Sequence, residues 1–180
     1  MARTTDVWVA SGVRTPFAKV DGALADLDAI ELSVPVARHM VGLLNRGRPD
    51  FAVWGAVVPS LMWSNIAREV LMDAGIDPTI PAFSTVMACS TSMIGAIEAA
   101  GMIDGDSCNL ALVGGVDSLS RVQIGLGQRL SDWLRKFQQT RSLGQKLDHV
   151  TRVQLRDIRL WIPAVANRTD RKSTRLNSSH

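Results

Sequence analysis

The stretch Phe83-Ser84-Thr85-Val86-Met87-Ala88-Cys89-Ser90-Thr91-Ser92-Met93-Ile94-Gly95-Ala96-Ile97-Glu98-Ala99-Ala100-Gly101-Met102-Ile103 decides how this chain folds. Phe83 to Ala88 reads as a strand, and Ser90 to Ile103 as a helix whose only charge between Met93 and Ile103 is Glu98. A helix apolar nearly all round is expected to be buried and not a surface amphipath. Cys89 stands at the junction, where the first helical N–H groups lack partners and the helix dipole is positive. That position favours a thiolate, the nucleophilic form of the side chain. Ser90, Thr91 and Ser92 offer capping hydroxyls. A lone Cys in such apolar company is either an inert core thiol or a nucleophile, and placement alone leaves both open.

Outward from this junction the chain alternates strand and helix. Val7 to Ala10 is a short apolar run closed by Ser11-Gly12, expected as a first strand. Leu32, Val36, Met40 and Leu44 recur every four residues along one helical face. Asp28 and Glu31 have capping-box spacing at its start, and Gly47 can end it. Pro35 fits a first turn capped by Ser33 better than a helix interior, which leaves two possible starts. Phe51 to Val58 reads as a strand apolar on both faces, stopped by Pro59. Ile66, Val70 and Ala74 predict a helix from about Ser64 to Gly75, and Leu110 to Val116 a further strand. Strands apolar on both faces and separated by helices imply an α/β fold with a parallel sheet covered on both sides.

Composition bounds the rest. The 180 residues carry a formal charge of +3 and are 46% hydrophobic and 21% charged, a globular composition. The charge is uneven: residues 1–117 hold 7 basic and 13 acidic side chains, residues 118–169 hold 10 and 3, and residues 170–180 hold 3 and 1. No apolar run approaches the roughly 20 residues of a membrane span, and Met1 to Asp6 do not open a secretory signal. Two cysteines make no disulfide framework, so a reducing cytoplasm is expected. No metal-ligand spacing appears.

Three regions follow: an α/β domain over 1–117, a basic segment over 118–169 and a tail over 170–180. The tail, Asp170 to His180, has no periodicity. One back-translation of it resembles a short-read sequencing adapter at every codon. It is therefore read as non-native, which implies a natural protein cut near Thr169 with its remainder missing. In the basic segment Leu126, Leu130, Leu134 and Phe137 predict a helix from about Gly127 to Phe137. No nucleic-acid module is visible, since aromatic residues are not interleaved with the charges for stacking.

Four motifs occur in order: Arg14-Thr15-Pro16-Phe17-Ala18-Lys19, Ser64-Asn65-Ile66-Ala67-Arg68-Glu69, Ala88-Cys89-Ser90-Thr91-Ser92 and Gly114-Gly115-Val116-Asp117-Ser118. Together they resemble the N-terminal half of thiolases (acetyl-CoA acyltransferases). Gln123-Ile124-Gly125 and Arg152 to Ile158 are similar to the β-subunit branch of fatty-acid oxidation complexes, and the resemblance covers roughly residues 6–169. Asp117 and Leu119 stand where many thiolases have Glu and Met, and Ser-Thr-Ser follows Cys89 where Ser-Ser-Gly is frequent. Both departures are compatible with that branch.

The resemblance implies a thiolase-like fold with Cys89 as catalytic nucleophile. In thiolases this Cys attacks the 3-keto carbon of a 3-ketoacyl-CoA, acetyl-CoA leaves, and a second coenzyme A takes the acyl group from sulfur. Two thioester steps replace one hard exchange, and the Cys89 N–H helps to hold the oxyanion. Coenzyme A is then a co-substrate, with no resident cofactor implied. The implied protein partners are a second copy of the chain and a hydratase/dehydrogenase α-subunit. Arg129, Arg135, Lys136, Arg141 and Lys146 can serve the phosphates of coenzyme A, and a solvated basic face is an equal reading for each.

The family's catalytic His residues and second Cys have no counterpart here. His39 and His149 match no motif, and Cys108, opening a strand, is expected as a core thiol. The 180 residues alone are therefore expected to lack thiolase turnover. The alternatives are a condensing enzyme of the ketoacyl-synthase type and a non-catalytic thiolase-like binding or scaffold protein.

Overall fold

The structure is a computed structural model that describes residues 6–45, 47–58, 60–140 and 160–161. Arg141, Lys146, His149, the Arg152–Ile158 motif and the 170–180 tail lie outside the described residues. Two compact units emerge, Met1–Val122 and Gln123–His180.

In the first unit the elements run α1 (Ala29–Gly42), β1 (Phe51–Gly55), α2 (Ile66–Asp73), β2 (Ala82–Thr85), α3 (Thr91–Asp104) and β3 (Ala111–Gly115). The strands form a parallel sheet in the order β2-β1-β3. α2 carries the chain from β1 to its neighbour β2, while α3 carries it back past β1 to β3. Right-handed crossovers in opposite directions put these two helices on opposite faces. The side-chain alternation of β1 agrees. Ala52 and Trp54 pack with α1 and α2 in a core that includes Ala37, Ile66, Val70 and Leu71, whereas Phe51 and Val53 pack with Met102, Ile103 and Cys108 on the α3 side.

β1 is buried at all five positions, as a central strand with both faces covered requires. It ends at Gly55 and not at Val58, because the Val57 and Val58 N–H groups donate to Asp117 Oδ1 at 2.8 and 2.9 Å. Trp54 lies against β3 opposite Gly114, where an added Cβ would sit 2.3 Å from the indole ring. Its Nε1–H donates to Ser33 Oγ at 3.0 Å, and Ser33 Oγ donates in turn to Ala29 O at 2.7 Å.

α1 starts at the Asp28 capping box, with Glu31 N–H donating to Asp28 Oδ1 and Asp28 N–H to Glu31 Oε2, both at 2.8 Å. Pro35 therefore lies inside the helix and not in its first turn. The two reciprocal bonds of the box and the buried Ser33–Ala37 face outweigh the one backbone bond that Pro35 cannot make. α2 is capped by Asn65, whose Oδ1 accepts from Arg68 N–H and whose Nδ2 donates to Ala82 O at 3.0 Å, tying the helix start to β2.

Two further expectations fail. Val7 to Ala10 forms no strand: residues 6–19 have no regular structure, and Trp8 and Val9 are 83% and 93% exposed. An apolar run becomes a strand only where a sheet edge takes its N–H and C=O groups, and this run pairs with neither β2 nor β3. α3 is also not buried all round. Thr91, Gly95 and Ala99 form its buried face, while Met93 and Ile97 on the other side are 65% and 60% exposed. An apolar helix buries only as many faces as it has neighbours, and within the first unit α3 packs against the sheet alone.

The second unit has β4 (Gly125–Leu126) paired antiparallel with β5 (Leu160–Trp161), and α4 (Gln128–Gln139) close to the expected span. No α4 residue is buried. Trp133 and Phe137 stack one turn apart, with ring centroids 5.2 Å from each other.

Candidate active site

β1, β2 and β3 end together, and the carboxyl ends of parallel strands are where open α/β sheets bind ligands. Cys89 follows β2 at that end, four residues after Thr85, and its side chain is exposed. Ala88, just before it, has φ +46°, the left-handed region that L-residues rarely adopt. Among the described residues the Cys89 N–H finds no hydrogen-bond acceptor.

Glycines at the ends of the two neighbouring strands seat this junction. A Cβ at Gly55 would lie 2.1 Å from the Thr91 methyl and 2.5 Å from Thr85 O, and one at Gly115 would lie 3.0 Å from Ser92 Cβ. The start of α3 thus descends into space that any side chain on β1 or β3 would fill. Asp117, just beyond β3, carries the two N–H groups of Val57 and Val58 and so ties the loop after β1 to the loop after β3.

Above these ends lies a cavity of about 650 Å³, lined by Cys89, Thr91, Ser92 and Asp117. The Arg14–Lys19 motif contributes its rim, with the Arg14 guanidinium 4.7 Å from the centre of the Phe17 ring. Leu32, Val36 and Met40 of α1 supply an apolar wall. That helical stripe is half-buried, and its Val36 and Met40 also pack against the core on the α2 side.

Of the residues singled out in the sequence, Cys89, Asp117 and the Arg14–Lys19 motif come together here. His39, exposed on α1, does not line the cavity. Cys108 is 6% exposed on the α3 side of the sheet, where burial and the nearby Asp50 charge push its thiol pKa up. The contrast separates the two thiols: one open to a cavity, one enclosed and held protonated. Sequence reasoning missed Gly55 as a site builder, and read Thr91 only as a capping hydroxyl and Gly115 only as part of a motif. Glycine closing both β1 and β3 was the available signal.

Comparison with known proteins gives this arrangement a family. The family model described as "Thiolase, N-terminal domain" matches residues 7–157. The chain belongs to the thiolase family. It is 34% identical over 167 residues to a 3-ketoacyl-CoA thiolase of Shewanella halifaxensis, covering 92% of this chain and 38% of that relative. A 3-ketoacyl-CoA thiolase of Pseudoalteromonas translucida is also 34% identical, over 160 residues, 88% of this chain and 37% of the relative. Among solved structures, a Bacillus anthracis acetyl-CoA acetyltransferase aligns with a TM-score of 0.61 and 27% identity, over 64% of this chain and 30% of the other. This thiolase-family chain therefore spans about two fifths of the length of the curated relatives it matches. The α/β layering and parallel sheet are those of the thiolase N-terminal domain.

Proposed function

We propose that this chain carries the acyl-accepting nucleophile of a 3-ketoacyl-CoA thiolase, with Cys89 as the residue that bears the acyl group. The observation that carries the reading is Cys89 itself, exposed at a helix start on a cavity, with its N–H unengaged among the described residues. In the cleavage direction Cys89 Sγ bonds to the 3-keto carbon of the substrate. The bond between the α and β carbons breaks, its electron pair is protonated on the departing acetyl-CoA, and the acyl group stays on sulfur. The thiol of a second coenzyme A then displaces Cys89 and carries the acyl group away. The free Cys89 N–H suits the oxyanion formed in both steps.

Acyl-CoA and coenzyme A are the small-molecule partners in this reading. A second copy of the chain and a hydratase/dehydrogenase α-subunit are its protein partners, and fatty-acid degradation in a reducing cytoplasm is its setting. Arg129, Arg135 and Lys136 on α4 supply positive charge suited to the phosphates of coenzyme A. Among the described residues no helix is long and apolar enough to cross a membrane, and no histidine lines the cavity. Multiple turnover is accordingly not expected of these 180 residues. Stoichiometric transfer from acetyl-CoA to Cys89 is expected instead, read by peptide mass. The reading fails if the acetyl group appears equally on Cys108, or if Cys89→Ser leaves the labelling unchanged.

A further inference from the structure

We infer that Thr91 is the residue that positions Cys89 for acyl transfer, by holding the end of β2 in its turned conformation. The inference rests on the acyl-transfer reading of Cys89. Helix α3 has Ser90 at its N-cap position, yet the Ser90 side chain makes no capping bond. The hydroxyl that is engaged is one residue later and reaches backward. Thr91 Oγ1 accepts from the Met87 N–H at 2.9 Å and donates to the Ala88 carbonyl at 2.7 Å. One oxygen therefore closes the loop on both sides of the residue with φ +46°.

A left-handed alanine persists only where its surroundings over-determine it, and these two bonds, with the Ser90 N–H to Met87 O bond at 3.0 Å, do so. The Thr91 side chain is itself fixed, only 5% exposed, its methyl filling the space left by Gly55. A helix cap would have turned this hydroxyl toward the α3 N–H groups. It is spent on Met87 and Ala88 instead, and so sets the direction in which the chain reaches Cys89. With its hydroxyl committed to Met87 and Ala88, Thr91 acts through the backbone, and its role is positional.

Thr91→Val keeps the shape and removes the hydroxyl, while Thr91→Ser keeps the hydroxyl and removes the methyl. Both are tested in the 180-residue chain by the rate of acetyl transfer from acetyl-CoA to Cys89. In this step Cys89 Sγ bonds to the acetyl carbon and the coenzyme A thiol leaves with the proton. Thr91→Val is expected to lower the limiting rate roughly ten- to a hundredfold, the scale of a misplaced reacting group. The acetyl-CoA concentration at half-saturation should stay unchanged, and Thr91→Ser should recover most of the rate. Amide exchange at Met87 is the second readout, faster in Thr91→Val than in the wild type while the β1 amides keep their protection. Wild-type rates in Thr91→Val, or equal losses in both variants, overturn the inference. So does unchanged Met87 exchange, whatever the acylation result. A wild type that takes no acetyl group instead overturns the acyl-transfer reading, and Met87 exchange then still decides whether the hydroxyl holds the turn.

Discussion

Two glycines of the same helix should respond in opposite ways to alanine. Gly95 lies on the face of α3 that rests on the sheet, and a Cβ there would stand 3.0 Å from Val53 Cγ1 and 3.2 Å from Val113 Cγ1. Both neighbours are β-branched strand residues with little rotamer freedom, and Val53 is fully buried. Gly101, two turns on, would meet nothing within 4 Å. Each replacement gains roughly 0.8–1 kcal/mol of helix propensity. Only Gly95→Ala adds an overpacking cost, about 1–3 kcal/mol for a methyl forced into a filled core. Propensity cancels in the comparison, so Gly101→Ala should stabilise by roughly 0.8–1 kcal/mol and exceed Gly95→Ala by about 1–3 kcal/mol. Urea unfolding followed by tryptophan fluorescence measures both. With a slope of roughly 1–3 kcal/mol per molar urea, the midpoints should separate by roughly 0.3–3 M. If Gly95→Ala proves as stable as Gly101→Ala, α3 does not rest on the strands through Gly95, and the account of how Cys89 is seated falls with it.

Other expectations are narrower. Ser33→Ala leaves the buried Trp54 Nε1–H without its acceptor and should cost about 1–3 kcal/mol in the same urea assay; an unchanged midpoint would show that another acceptor replaces it. Asp77 is held at about 2 by the Thr79 hydroxyl and N–H and by Arg48, and Asp50 is lowered by the Asn109 and Leu110 N–H groups and by Arg48. Carboxyls depressed by folding contribute stability that is complete above about pH 4 and is lost as pH falls toward 2. Asp77→Asn should therefore flatten the decline of the unfolding midpoint across that window, and an identical pH slope would contradict the assignment. Asp117→Ala should speed amide exchange at Val57 and Val58 while leaving β1 protected, since only the loop beyond the strand hangs on that carboxylate.

What the sequence announces depends on how local the signal is. The capping box of Asp28 and Glu31, the all-apolar β1 and the cysteine between strand and helix depend on neighbouring residues, and each appears where expected, β1 three residues shorter at its end. The Val7–Ala10 run looked equally local, but a strand exists only through its neighbour in the sheet. Met93 and Ile97 gave α3 the composition of a buried helix, which records what the surface prefers to touch and not what touches it. Pro35 was weighed by its intrinsic cost, and the reciprocal bonds at Asp28 decided otherwise. At the site, the place of Cys89 between strand and helix could be read in advance because it depends on neighbouring residues alone. The role of Thr91 could not, because it is set by a backward reach to Met87 and by the space at Gly55, neither of which has a sequence period.

The two carboxylates that clamp β1 to β3 bear on the order in which the chain folds. Asp50, just before β1, takes the N–H groups of Asn109 and Leu110 just before β3, and Asp117, just after β3, takes those of Val57 and Val58 just after β1. Each clamp joins residues 59 or 60 apart in the chain. Closing so long a segment carries an entropic cost that no local contact offsets in advance, and non-local pairing of this kind slows folding. The central strand is synthesised first among the three but receives its second neighbour last. On a ribosome, the Cys89 cavity cannot take shape until the chain has been made as far as Asp117.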